Sequence, residues 1–421
     1  MSVGENGCTS CGPAAHAKRA ADAQTPQPST GSCEAAGCAL SIHLRLRTGT
    51  WPAATYAGTV NNSAALPPVD PSSFRSKVHG CLLGGALGDA LGYAVEFDSA
   101  EGIRARFGPS GLAGFDQLEL PAPVSDDTQM TLYTVDGLVE VLQWANDGVG
   151  ADETACLWLA YLRWLKTQGE ALPVNAPDQP DRWIDGQEVL HHRRAPGNAC
   201  LSGLLTGEMG TRKRPVNPDS KGCGTVMRSA PFGLLPYVAA ETVYKFSADG
   251  AALTHGHPSA LHSAAVFSTL IHDLLPADAT LQAAAANAVE RAAASGVPEL
   301  AQRLEAAVAL ASEDLAGKSR PSPERLKAAL GEGWVAEEAL AIGLYAALAT
   351  ADAGSPEQHF RKAAALAVNH DGDSDSTASV TGNILGVLYG REALPAEWVA
   401  AIDARETVEK MAEALLGVTV G

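Results

Sequence analysis

The sequence predicts an all-α protein, and three observations carry that expectation. Hydrophobic residues make up 46% of the 421 positions but aromatic residues only 5%, so the apolar content is mainly Ala, Leu and Val. Ala gives up no side-chain entropy in a helix, and small side chains let helices approach closely. From 260 to 317 and from 323 to 369, apolar residues recur at three- and four-residue spacings, broken by Gly and Pro. Finally, no alternating strand–helix rhythm and no internal repeat is visible. Residues 71–421 therefore read as one helical domain with a large core.

Residues 1–70 read differently. They hold Lys18, Arg19, Arg45 and Arg47 against Glu5, Asp22, Glu34 and Asp70, so the whole net charge of −18 falls in residues 71–421. The first forty residues are rich in Gly, Ser, Thr, Pro, Gln and Ala, which predicts a flexible N-terminal extension. Cys8, Cys11, Cys33 and Cys38 could supply four soft ligands to zinc. The flanking sequence offers no apolar residues to fold around such a site, so unligated thiols are the expectation. Between Ser41 and Thr48, Ile42, Leu44 and Leu46 alternate with His43, Arg45 and Arg47, the period of a strand with one apolar face. A lone strand needs a partner, either the body of this chain or another molecule.

The acidic balance excludes a nucleic-acid polymer as the default partner, because nonspecific binding needs Lys and Arg to displace counterions. No apolar run is long enough for a membrane span, and no charged-then-apolar leader pattern opens the chain. Eight cysteines in a chain of this length make no disulfide scaffold, so a reduced, cytoplasmic protein is expected.

Four segments carry chemistry. In the first, Gly80, Gly84, Gly88 and Gly92 recur every fourth residue and so line one helical face. Each interior glycine costs about 1 kcal/mol relative to Ala, and close helix–helix packing is the reason expected. Packing does not account for Asp89 and Glu96, whose spacing of seven puts both carboxylates on one side of that helix. The second segment, Ser125-Asp126-Asp127-Thr128-Gln129, opens a helical run. Asp126 with Gln129 fits a capping box, yet two adjacent acids between hydroxyls are also hard-oxygen ligands for Mg2+ or Mn2+.

The third segment, from Asp371 to Thr377, opens a helix of small residues with three acids in five positions. It lacks the glycine placement and the closing Glu of an EF-hand loop. Asp373 and Asp375 can aim at one point, with Ser376 adding a hydroxyl. Two acidic turns, each opening a helix, are a signature of a binuclear metal site. In the fourth segment, Ser220 to Arg228, a glycine-rich turn runs toward a helix and offers backbone N–H groups suited to phosphate. His255 in Thr254-His255-Gly256-His257 is a candidate for substrate contact, against the plainer alternatives of capping or packing.

Taken together, GCLLGGALGDALGYAVE, SDDTQM, RRAPGNACLSGL, GCGTVMRSAPFGLLP, THGHP, WVAEEALA and DGDSDSTASVTGNILGVLYG occur in an order that resembles the ADP-ribosylglycohydrolase family. The resemblance spans residues 75 to about 392 and leaves the N-terminal extension outside. It implies an orthogonal multi-helix bundle whose central cleft holds two Mg2+ ions, Mn2+ being an alternative. It further implies hydrolysis of the bond from C1″ of ADP-ribose to a protein side chain, with arginine the most frequent acceptor. By motif, the metal ligands would be Ser125, Asp126, Asp127, Asp373, Asp375 and Ser376. Glu96 would be a mobile acid or base, with Asp126, Asp127 and Asp373 also needed for catalysis. Ser220, Gly222, Cys223 and Gly224 would cradle the diphosphate, and His255 would touch substrate. Ser376 stands where the family commonly has Thr, and Cys223 where several members have Asn. The expected partner is an ADP-ribosylated protein. An alternative reading makes residues 1–70 an arm that binds and blocks an ADP-ribosyltransferase, as an immunity protein or antitoxin would.

Overall fold

The computed structural model describes residues 70–319 and 321–420. The readings of the N-terminal extension, its cysteine pairs, its strand and its partner therefore lie outside the described residues.

Sixteen α-helices and no strand make up the described chain. In order, they begin with α1 (Pro71–Tyr93), α2 (Ala100–Phe107), α3 (Asp126–Asn146), α4 (Glu153–Thr167) and α5 (Asn198–Leu205). Next come α6 (Ala230–Gly233), α7 (Ala240–Ala251), α8 (Pro258–Asp273), α9 (Leu281–Ala294) and α10 (Pro298–Leu315). The series closes with α11 (Pro323–Leu330), α12 (Ala336–Ala349), α13 (Pro356–Val368), α14 (Ser374–Tyr389), α15 (Ala396–Ala401) and α16 (Arg405–Thr419). The apolar periodicity of 260–317 and 323–369 thus resolves into six helices, and the all-α expectation holds. Capping side chains fix many of the starts: Asp70, Ser125, Thr280, Ser322, Ser355 and Asp373 each accept a backbone N–H from the first turn that follows.

At the centre, α1 and α14 run antiparallel with their backbones in contact. A Cβ at Gly80, Gly84, Gly88 or Gly92 would lie well inside 3.0 Å of the carbonyl oxygen of Gly386, Gly382, Ala378 or Ser374 respectively. Partners descend by four as the glycines ascend by four, so a ladder on α1 meets a ladder of small residues on α14. The glycines are there for close packing, as their spacing predicts. Around this pair, α14 also meets α12 and α13, while α3 packs on α4 and α16. The core is continuous and rich in Ala, Leu and Val, with Tyr133, Tyr161, Trp164 and Phe267 among its largest fully buried side chains.

One element differs from its expected place. The α1 helix ends at Tyr93, and Val95 and Asp98 bond back three residues to Gly92 and Val95 in tightening turns. Glu96 thus sits in the turn after the helix rather than on the helical face of Asp89.

Because the atoms facing Gly88 are backbone, they have little freedom to give way. Gly88→Ala gains about 1 kcal/mol of helix propensity but meets overpacking of at least 1–3 kcal/mol, so a net loss of stability is expected. Gly417, in α16 with nothing within 4 Å of its would-be Cβ, is the control. Gly417→Ala should be neutral or stabilising by up to about 1 kcal/mol. Denaturant melts of the two variants check the contrast, and equal stabilities would contradict the ladder.

Candidate active site

Two helix N-termini meet beside the C-terminal end of α1. The α3 helix begins at Ser125, whose hydroxyl accepts from Asp127 N (3.2 Å). Gln129 does not close a capping box; its side chain bonds to Trp164, Gln168 and the His192 carbonyl instead. The α3 turn is held from outside by Asp89 of α1, whose carboxylate accepts from Ser125 N (3.0 and 3.1 Å) and Thr128 N (3.0 Å), and from the Thr128 hydroxyl. The glycine ladder carries Asp89 to that position, and carboxylates at a helix N-terminus are favoured there by the unpaired N–H groups. At α14, Asp373 is the N-cap and accepts from Ser376 N (3.3 Å), while Asp375 Oδ1 accepts from the same N–H (2.8 Å). The Ser376 hydroxyl donates to Asp127 Oδ2 (2.9 Å), which ties the two acidic turns together.

Three further segments close on this pair. Gly197 N donates to Asp126 Oδ2 (3.1 Å). The Cys223 thiol, partly exposed, donates to Asp373 Oδ2 (2.8 Å). Glu96, only 6% exposed, has its Oε2 buried with no hydrogen-bond partner. Beyond Glu96, Phe97 (76% exposed) stacks on Trp334 (41% exposed) at 6.3 Å between ring centroids. Trp334 O also accepts from Cys223 N (3.2 Å).

The glycine loop departs from its expectation in one respect. Residues 223–225 form a single 3-10 turn, and α6 is only four residues long, so no extended helix dipole stands behind the loop. With Cys223 N committed to Trp334, any anion there would meet local N–H groups rather than a helix end. Gly222 and Gly224 border His255, which is 1% exposed; a Cβ at either position would come within 3.5 Å of its ring. Ser220 lies one step away and links the loop to Asn217 and His257 through its backbone. His257 caps α8 through Nδ1, accepting from Ser259 N (3.1 Å). The structure thus places Glu96, Ser125, Asp126, Asp127, Cys223, Asp373, Asp375 and Ser376 in one neighbourhood, with Gly222, Gly224 and His255 adjoining. The sequence reading missed the anchoring role of Asp89, although that acid already stood out on the glycine helix.

Electrostatically the cluster is uncompensated. Burial raises the carboxyls of Asp126, Asp127 and Asp373 well above the usual range, and the Asp375 charge pushes each further. Burial followed by Asp375 lifts Asp89 to about 7, despite its hydrogen bonds, and Glu96 to about 9. No cation is among the main influences on any of the five. Groups so placed hold their protons, or need a counter-charge. Among the described residues no three acidic, imidazole or thiol side chains are already gathered tightly enough to hold an ion. The donor chemistry nevertheless fits a hard divalent cation, being carboxylate and hydroxyl oxygens with one unpartnered buried carboxyl.

Fold and site together define an all-helical protein with an oxygen-lined acidic cluster beside a glycine loop. The profile of the ADP-ribosylglycohydrolase family matches residues 70–421, and the chain belongs to that family. It is 25% identical over 349 residues to the ADP-ribosylarginine hydrolase Tri1 of Pseudomonas putida, covering 82% of this chain and 79% of that protein. It is 22% identical to the ADP-ribosyl-[dinitrogen reductase] glycohydrolase of Rhodospirillum rubrum, covering 82% of this chain and 97% of the relative. A solved structure of an ADP-ribosylglycohydrolase-related protein complex shares the fold at a TM-score of 0.58 and 24% identity, over 83% of this chain and 100% of that one. No helix among the described residues is long and apolar enough to cross a membrane.

The raised carboxyls give a pH-dependent stability of definite sign. An unfolded chain releases these protons near 3.8 for Asp and 4.5 for Glu, whereas the folded chain keeps them up to about 7 at Asp89 and about 9 at Glu96. The folded state therefore binds more protons through that window, and its stability falls as pH rises. After chelation, melting temperature should drop from about pH 5 to about pH 8. Thermal melts at both pH values check this; a chelated protein that grows more stable toward pH 8 without metal would contradict the placement of the acids.

Proposed function

We propose that the chain hydrolyses the glycosidic bond from ADP-ribose to a protein side chain, with arginine as the acceptor. The observation that carries this reading is the cluster of buried acidic side chains, none paired with Lys or Arg among the described residues, at the α3 and α14 N-termini, in a chain that belongs to the ADP-ribosylglycohydrolase family. Relatives whose names specify ADP-ribosylarginine and ADP-ribosyl-dinitrogen reductase support the acceptor and the substrate class. In this reading Ser125, Asp126, Asp127, Asp373, Asp375 and Ser376 would hold two Mg2+ ions, with Mn2+ able to replace them. Bound there, the ions would supply Lewis acidity and make water a usable nucleophile near neutral pH.

The chain's own residues do the rest. Asp89 holds the α3 turn so that Asp126 and Asp127 face Asp373 and Asp375. Glu96 Oε2, buried and without a hydrogen-bond partner, is the group placed to give a proton to the leaving nitrogen and recover one from water. The loop from Gly222 to Gly224 lets a diphosphate approach backbone that a side chain would block, and the Phe97–Trp334 pair offers a flat apolar face suited to a base.

An arginine-linked ADP-ribosyl protein incubated with the chain and Mg2+ should release free ADP-ribose. Chelation or Asp126→Ala should lower the rate by ~100-fold or more, and a serine-linked substrate run alongside should react more slowly. Absence of release, or release indifferent to both chelator and Asp126→Ala, would overturn this function.

A further inference from the structure

Beneath the glycine loop lies a buried arginine that no carboxylate pairs with among the described residues. Arg228 is 1% exposed. Its Nη2 donates to the Thr254 hydroxyl (2.7 Å) and to Gly250 O (3.4 Å), its Nη1 to Cys200 Sγ (3.3 Å), and its Cζ lies 4.6 Å from the centre of the Tyr161 ring. The Thr254 hydroxyl in turn stands 2.8 Å from His255 Nδ1. Nε2, on the far edge of the imidazole, bonds to no described protein atom and faces Gly222 and Gly224 at 3.4 and 3.5 Å from where their Cβ atoms would be.

Direction follows from the chemistry of the groups. A guanidinium can only donate, so the Thr254 oxygen accepts from Arg228 and keeps one proton to give. That proton can go to Cys200 Sγ or to His255 Nδ1. An imidazole nitrogen is the stronger acceptor, since a thiol sulfur accepts weakly. The Arg228 charge also favours a lone pair on the near side of the ring over an N–H. Burial and the same charge together hold the ring neutral, with its pKa lowered to about 3.

We propose that Arg228 and Thr254 are positioning residues that hold His255 in the Nε2–H tautomer, a hydrogen-bond donor aimed past Gly222 and Gly224 at an oxygen acceptor of the substrate. The identity of that oxygen, a diphosphate or ribose oxygen of ADP-ribose, rests on the function proposed above; the tautomer does not. A neutral donor in a dry wall suits an oxygen acceptor and rejects a ligand that presents N–H groups there, because two donors would then face each other unpaired.

The test uses the full chain with 15N-labelled histidine, the His255 ring signals being assigned by their loss in His255→Gln. Wild-type His255 should carry its proton on Nε2, with Nδ1 bare, from about pH 5 to pH 9. Thr254→Val should shift the ring to a mixture of tautomers and weaken ADP-ribose binding, followed by calorimetry, by ~10-fold. Thr254→Ser should restore both. A proton on Nδ1 in the wild type, an unchanged tautomer in Thr254→Val, or a changed tautomer with unchanged binding would overturn the proposal. A wild-type chain with the stated tautomer that fails to bind ADP-ribose would support the device and instead count against the substrate.

Discussion

The structure depends on the backbone contact between α1 and α14. Side chains ordinarily keep helix axes 8–10 Å apart; here Gly80, Gly84, Gly88 and Gly92 remove them on one face, and Ala378, Gly382 and Gly386 answer on the other. The glycines sacrifice helix propensity, about 1 kcal/mol each, for a fixed register between two helices. That register puts Asp89 under the first turn of α3 and sets Glu96 beside the first turn of α14. A looser or slipped pairing would separate the acids that the site combines.

Electrostatics then explains why so acidic a chain is consistent with an anionic ligand. The net charge of −18 excludes a polyanion as the default partner, but it says nothing about a small anion that meets local donors and cations. The site divides into two faces. One is the carboxylate face at the α3 and α14 N-termini, suited to cations; the other is the glycine loop with the His255 edge, suited to oxygen acceptors. The Cys223 thiol on Asp373 is where the two faces touch. Burying so many acidic groups with no Lys or Arg among their main electrostatic neighbours is costly, a cost that functional sites commonly carry.

Much of this was legible in sequence because it is local or periodic. The four-residue glycine spacing announced a packed helix face, and the two acidic turns announced helix starts. The matching ladder from Ser374 through Ala378 and Gly382 to Gly386 was equally periodic, and reading it would have paired α1 with α14 directly. What stayed hidden depends on tertiary neighbours. Gln129 looked like half of a capping box until Trp164 and Gln168 claimed its oxygen. Glu96 kept helical spacing from Asp89, but the chain turned three residues earlier. The glycine loop reads as running into a helix, whereas a 3-10 turn and a helix of only four residues follow. Arg228 closes the glycine-loop segment in the sequence, but its role stays hidden there, since its partners at Cys200, Gly250 and Thr254 are brought in by folding.

On the function proposed above, the glycine-paired helices assemble an oxygen cluster that binds divalent cations. Counting bound Mn2+ by its paramagnetic resonance in equilibrium dialysis addresses that claim most directly. The account predicts two ions per wild-type chain and the loss of at least one in Asp373→Asn, with the folded state retained. A wild-type chain that binds no Mn2+, or an Asp373→Asn chain that binds the same number with the same affinity, would contradict it.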